Sequence, residues 1–216
     1  MIEVNPVGIP GKPEIHSASE QGQVEINTEI WTNYEAIAAV LPKPANSYSR
    51  VDLMKLVSEA FSENDHQLIS ELFIKTMMWG SGTTNGRGPR YTSKALSDGN
   101  LVATLIKARE FLMKSDVSSA YDLHRQIPGV GPSFHTKLLW VIGSDIENLN
   151  PRPLILDELV WKGLKSIGWS SIQAAGSLNR GRRYCAYLNQ CSRLAAEHSC
   201  TPEDIEYSLY LMGKNS

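Results

Sequence analysis

Along most of this chain the apolar residues return every third or fourth position, a period that builds amphipathic helices. Ser49 opens "SRVDLMKLVSEAF" as a cap, with Asp52 in the capping-box position. Asp65 opens "DHQLISELFIKTMMW", where Leu68, Leu72, Phe73, Thr76 and Met77 share one face. Leu101, Leu105, Ala108 and Leu112 align in "NLVATLIKAREFLMK", and "LDELVWKGLKSIG" and "GRRYCAYLNQCSRLAAEH" continue the pattern. Thr201 as cap, Pro202 at the first helical position and Asp204 in the capping-box place start a last helix. Only residues 22–30, "GQVEINTEI", alternate enough to suggest a strand. These signals predict an all-α fold of roughly nine helices. Residues 1–216 are expected to form a single domain, with residues 1–28 as an extended arm.

Composition excludes several classes. With 216 residues, 42% hydrophobic and 20% charged, the chain is long and apolar enough for a globular core. No run of about 18 apolar residues exists, so no membrane span is expected. The start "MIEVNPVGIPGKPEIH" lacks the pattern of a secretory signal. Cys185, Cys191 and Cys200 form an odd, sparse set without a disulfide framework, which fits a reducing compartment. A cytoplasmic monomer is the expectation. The net charge of −2 does not announce a nucleic-acid binder, so any such surface must be local. "NGRGPR", residues 85–90, and "NRGRR", residues 179–183, are the clusters to consider, though each also reads as a solvated loop or helix end.

Two stretches break the helical routine. "SSAYDLHRQ-IPGVG-PSFHTKLLWVIG" reads as helix, five-residue turn, helix, with the hairpin and its second helix over residues 126–143. Gly129 and Gly131 are expected to supply backbone angles that other residues resist. Pro132 suits a first helical position. The N–H groups of Gly129, Gly131 and Ser133 would then face outward at a helix N-terminus, as a phosphate site requires. The same residues also allow a corner that merely packs. Downstream, "PRPLILDELVW" sets Asp157 among apolar residues. An aspartate there is also a common helix cap. Its neighbour Glu158 would project about 100° away on a helix and be solvated.

Taken together, "IPGVG" between two helices and the later "PLILDELVW" resemble the helix-hairpin-helix DNA glycosylase superfamily. The "Trp-Gly" start of the loop at Trp79 and the last helix, with its Glu–Tyr–x–Leu–Tyr run, are most similar to the bacterial branch with the 8-oxoguanine-glycosylase fold. The resemblance implies a two-lobed helical fold acting on double-stranded DNA. It implies hairpin amides on a DNA phosphate, and carbonyls of Arg125, Ile127 and Val130 holding a monovalent cation, with no other cofactor required. It implies Asp157 as the catalytic carboxylate, opposing the positive charge that develops on the sugar as the base leaves. Leu154, Ile155, Leu156 and Leu159 would exclude water around it.

In that superfamily the position of Ser133 holds, in some members, a lysine that forms a Schiff base and nicks the strand. Serine there implies a monofunctional enzyme that leaves an abasic site. Three cysteines fall short of the iron–sulfur cluster of the adenine-removing branch. Lys137, one helical turn on, occupies a base-pocket position, although a solvated lysine or a displaced Schiff-base lysine also fits. His135 stands where the family prefers a small residue, implying a wider hairpin or a specific hydrogen bond. The loop "GSGTTNGRGP", expected to be without helix, would enter the duplex, with Asn85 facing the orphaned base and Arg87 and Arg90 on phosphates. Trp161, Trp169, Tyr207 and Tyr210 are candidates for stacking on the base, Trp161 foremost. The branch includes enzymes acting on hypermodified cytosines of phage DNA, so an antiviral role is one expectation. A non-catalytic DNA-binding module and an unrelated helical interaction protein are the rival readings.

Overall fold

The computed structural model describes residues 14–82 and 86–215. Asn85 and residues 1–13 of the expected arm lie outside the described residues. Helices dominate. The one sheet among the described residues pairs β1 (Val24–Glu25) with β2 (Ser47–Tyr48) in antiparallel register.

The helices are α1 (Thr28–Thr32), α2 (Glu35–Val40), α3 (Arg50–Lys55), α4 (Val57–Ser62), α5 (His66–Ser81), α6 (Gly88–Leu96) and α7 (Leu101–Met113). They continue as α8 (Val117–Asp122), α9 (Pro132–Ile142), α10 (Glu158–Ser166), α11 (Ser171–Ala175), α12 (Arg180–His198) and α13 (Pro202–Lys214). Capping boxes form at Ser49–Asp52 and Thr201–Asp204, and Asp65 accepts from the N–H groups of Gln67 and Leu68. Each cap satisfies amides that would otherwise lack partners.

Several expectations need correction. The strand over residues 22–30 shrinks to Val24–Glu25, because Thr28 already starts α1. The described part of the arm is not simply extended. A 3₁₀ turn at Ala18–Glu20 docks on α13, where the Ala18 N–H meets Asp204 at 2.7 Å and the His16 N–H meets Ser208 at 2.9 Å. The helix from Ser49 divides at Leu56 into α3 and α4. The loop at residues 80–89 is shorter than expected. Gly80 and Ser81 end α5, and Gly88 and Pro89 begin α6, where proline at the first turn costs no hydrogen bond. These one-turn elements raise the helix number above nine.

One group of helices gathers round α5, whose Ile69, Leu72, Phe73, Ile74, Met77 and Met78 are all buried. A second group joins α10, α11, α12 and α13. Helix α9 is buried from His135 to Ile142 and packed against α3, α5, α7 and α8. α10 and α13 approach to backbone contact: a Cβ on Gly163 would lie 2.1 Å from the Leu209 carbonyl, and one on Gly213 would lie 1.9 Å from that of Leu159. Only glycine permits so close a crossing.

His135 takes a specific hydrogen bond. Its Nε2 meets the Ala120 carbonyl at 2.9 Å with the ring fully buried. Burial holds its pKa down to about 4. Below the ordinary histidine range the unfolded chain therefore takes up a proton that the native state refuses. Stability should fall by about 3 kcal/mol as pH drops from 6.5 towards 4. Urea unfolding across that window, with His135→Gln losing the same slope, checks this.

Candidate active site

The hairpin begins with the 3₁₀ turn Leu123–Gln126 and ends at the N-terminus of α9. Ile127 and Val130 bury their side chains, and the Val130 N–H closes the turn on the Ile127 carbonyl at 3.2 Å. Gly129 has φ +82°, and a Cβ there would also press on Tyr91 at 3.1 Å. Gly131 differs from expectation. Its φ of −77° and ψ of 170° suit any residue, and a Cβ would meet nothing within 4 Å. The space around Gly131, at the N-cap of α9, is open. Because Gly129 packs on Tyr91, the exposed Arg87 and Arg90 at the start of α6 stand beside the hairpin.

Three hydroxyls deliver the segment before Asp157. Tyr184 donates to the Leu154 carbonyl at 2.6 Å and accepts from the Leu154 N–H at 3.1 Å. Tyr187 donates to the Ile155 carbonyl at 2.7 Å. Thr136 accepts from the Leu156 N–H and donates to the Ser133 carbonyl, both at 3.0 Å. An irregular buried segment thereby has its backbone groups satisfied, as burial demands. Its Leu154 and Ile155 are buried, while Leu156 and Leu159 stay partly open.

Asp157 is both a cap and more than a cap. Oδ1 accepts from the Leu159 and Val160 N–H groups at 3.1 Å each, at the start of α10. Oδ2 accepts from Lys137 Nζ at 2.9 Å. Burial pushes the carboxyl pKa up, but the Lys137 ammonium and the amide hydrogen bonds outweigh it and hold the group below its ordinary value. Glu158 is exposed and pairs with Lys162 at 3.6 Å, as its helical offset predicts.

The lysine stem needs room. A Cβ on Gly80 would lie 2.8 Å from Lys137 Cδ and 2.9 Å from the Phe134 ring, which explains the glycine of "Trp-Gly". Trp79 stacks on Trp140 at 6.0 Å, and the Arg50 guanidinium lies 4.8 Å from the Trp140 ring centre. Arg50 also grips the buried Glu206 through both terminal nitrogens, at 3.0–3.2 Å. Burial raises the Glu206 pKa, Arg50 lowers it, and Asp157 adds a further rise.

Asp157 borders two cavities. The smaller, about 140 Å³, is lined by Lys137, Arg50, Glu206, Gln21 and Tyr210. The larger, about 460 Å³, is lined by Ser133, Trp161, Arg180 and Arg183. The expected base-pocket pair is thus divided: Lys137 faces the smaller space and Trp161 the larger. Trp161 packs edge-on against Trp169 at 6.2 Å, and Tyr207 stacks on Tyr210 at 6.0 Å. Among the described residues, no group of His, Cys, Asp and Glu could hold a metal ion, and no helix is long and apolar enough to cross a membrane.

The family described as "Putative 8-oxoguanine DNA glycosylase OGG-like protein" matches residues 17–210. The chain belongs to this OGG-like family. The family's description suggests a DNA glycosylase, and DNA binding with it. No curated protein matches the chain, and no solved structure does.

The match starts at Ser17, so the docked arm is part of this OGG-like chain's family region. Sequence reasoning missed Arg50, Glu206, Gln21, Tyr184 and Tyr187. Each acts through a partner more than 25 positions away, beyond any local pattern. The only available signal was chemical: a glutamate inside the apolar stripe of α13 needs a cation. Tyr184→Phe should leave the Leu154 amide and carbonyl buried without partners and cost about 2–4 kcal/mol. Urea denaturation measures it, and a loss within 0.5 kcal/mol, roughly what a surface change gives, would show the hydroxyl clamp to be dispensable.

Proposed function

We propose that the protein is a monofunctional DNA glycosylase, hydrolysing the bond between an abnormal base and its deoxyribose in double-stranded DNA. The observation that carries the reading is Asp157: an ionised carboxylate on the wall of two cavities, beside a hairpin whose amides open onto free space. As the base leaves, the C1′–N bond breaks with its electron pair going to the base, and the sugar becomes cationic. A water oxygen then bonds to C1′, and the proton it loses passes, through solvent, to the departing base, which leaves neutral. Asp157, kept below its ordinary pKa, is a weak base and a strong electrostatic partner, so it stabilises the cation and orients the water. Lys137, which borders the smaller cavity, offers donors to the departing base.

Gly129, Gly131 and Ser133 present the helix amides to a phosphate, and Arg87 and Arg90 hold neighbouring phosphates, with Asn85 on the orphaned base. Carbonyl oxygens are the hard donors a monovalent cation prefers, and those of Arg125, Ile127 and Val130 are the ones that would hold it. The Ile127 carbonyl, although it accepts from Val130, retains a second lone pair. The base is of the abnormal kind, 8-oxoguanine by the family's description or, in an antiviral role, a hypermodified cytosine of phage DNA. Mass analysis of the bases released from DNA of each type decides between them.

A second reading has its own observation. Lys137 Nζ sits 2.9 Å from Asp157, near enough to the sugar for the lysine to attack C1′ instead of water. Asp157→Asn should lower base release by about 10²–10³ while leaving DNA binding intact. With Ser133 in place, borohydride should trap no covalent complex, and the strand should break only after alkali. Base release at the wild-type rate by the asparagine variant would sink the assignment. A trapped adduct that vanishes in Lys137→Ala would move the nucleophile to Lys137.

The two hairpin glycines should behave differently. Gly131→Ala meets no neighbour, so it should fold normally yet weaken binding to all DNA sequences alike, by obstructing the phosphate. Gly129→Ala, strained by its φ of +82° and pressed on Tyr91, should destabilise the protein itself. Electrophoretic shift and thermal melting separate the effects, and unchanged affinity in Gly131→Ala would leave the hairpin a packing corner.

A further inference from the structure

Beside the larger cavity, two guanidinium groups lack the carboxylate partners that the buried arginines have among the described residues. Arg50 is held by Glu206 and Arg109 by Asp145. Arg180, at the first turn of α12, is exposed and has no hydrogen-bonded or ionic partner among the described residues. Arg183 donates through Nε to Ser171 at 2.8 Å, which fixes the side chain and leaves both terminal nitrogens unengaged. The two lie three positions apart on one helix face, where like charges repel. Both line the larger cavity, together with Pro132 and Ser133 at the N-terminus of α9.

The cavity's carboxylates do not neutralise them. Asp157 is paired with Lys137 and Glu158 with Lys162. Tyr121 lines the same cavity. Its pKa is raised, by burial first and also by Asp122, with Arg180, Arg183 and the hairpin residue Arg125 acting against the rise. Positive charge thus reaches this space from the hairpin side and from α12. At about 460 Å³ the cavity has the size of a small-ligand site.

We propose that this cavity seats the sugar-phosphate of the extruded nucleotide, with Arg180 and Arg183 as its phosphate-binding side chains facing the α9 amides. The inference rests on the glycosylase reading above. Asp157 on the same wall selects a chain phosphate over a free anion, because the C1′ it must face is covalently tied to that phosphate. The planar fork of arginine matches phosphate oxygens in a paired geometry, and Arg183 is already oriented by Ser171.

The test uses two duplexes of one sequence, one of them carrying a tetrahydrofuran residue, an abasic sugar-phosphate without a base. Binding by fluorescence anisotropy is followed over a range of salt. Arg180→Ala and Arg183→Gln should each weaken binding to the tetrahydrofuran duplex roughly tenfold and lower its salt slope by about 1, with little change on the plain duplex. Arg182→Ala removes the same charge from the same helix, but its side chain faces a different groove beside Cys185 and Asn189. It should keep the preference for the tetrahydrofuran duplex. Arg180 is exposed, so its variant should fold, as circular dichroism verifies.

Equal losses in Arg180→Ala and Arg182→Ala on both duplexes would overturn the clamp and leave only general attraction to DNA. Asp157→Asn should retain the preference while losing base release, which keeps the two proposals separable. A wild type that prefers the tetrahydrofuran duplex, with Arg180→Ala and Arg183→Gln preferring it as strongly, removes the clamp and spares the glycosylase. No preference in the wild type, together with no base release, removes both.

Discussion

The ion pair between Lys137 and Asp157 governs the rest of the arrangement. Taking two such charges out of water costs several kcal/mol for each ion, and their attraction repays it only where geometry and further hydrogen bonds are good. Here the repayment is distributed. Two α10 amides take the other carboxylate oxygen, and Gly80 clears the path of the lysine stem. The Arg50–Glu206 pair borders the same small cavity. The charges therefore sit in pairs of opposite sign, and the interior around the cavity is close to neutral.

That arrangement clarifies why stability and chemistry share residues. A helix cap on the surface is worth roughly 1 kcal/mol and can be exchanged for serine or asparagine. Asp157 caps α10 with one oxygen and faces the lysine with the other, so the fold fixes the orientation of the group whose charge the proposed reaction would use. The hydroxyls of Thr136, Tyr184 and Tyr187 extend the same principle one step outward. They hold the backbone of residues 154–156, and so set where α10 begins.

The helical class, the principal caps and the tight turn before α9 were legible because they rest on neighbours in sequence. A period of three or four, Thr201 with Asp204, and glycine beside proline all act within a turn or two. Asp157 was legible for a similar reason, as a charge set in an apolar run. Residues 22–30 misled because their alternation spans too few positions to resist the cap and helix that start at Asn27 and Thr28. Gly131 misled in another way. Its backbone angles are ordinary and the space around it is open, and no propensity encodes either. The pairing of Lys137 with Asp157 was half legible. Sequence put the lysine on the Ser133 face, but only the fold shows that α9 aims it at the carboxylate rather than at solvent.

The small cavity is built from segments far apart in sequence. Gln21 and Arg50 meet Glu206 and Tyr210 round the small cavity, and the His16 amide reaches Ser208 across 192 positions. Contacts of such separation close the largest loops, and chains dominated by them fold slowly. During synthesis, domains assemble as units once their last element is available. A nascent chain that has not yet released α13 lacks one wall of the small cavity and the carboxylate that partners Arg50. Helix α13 thus supplies the last wall of the small cavity, and a chain is helical well before that cavity can close.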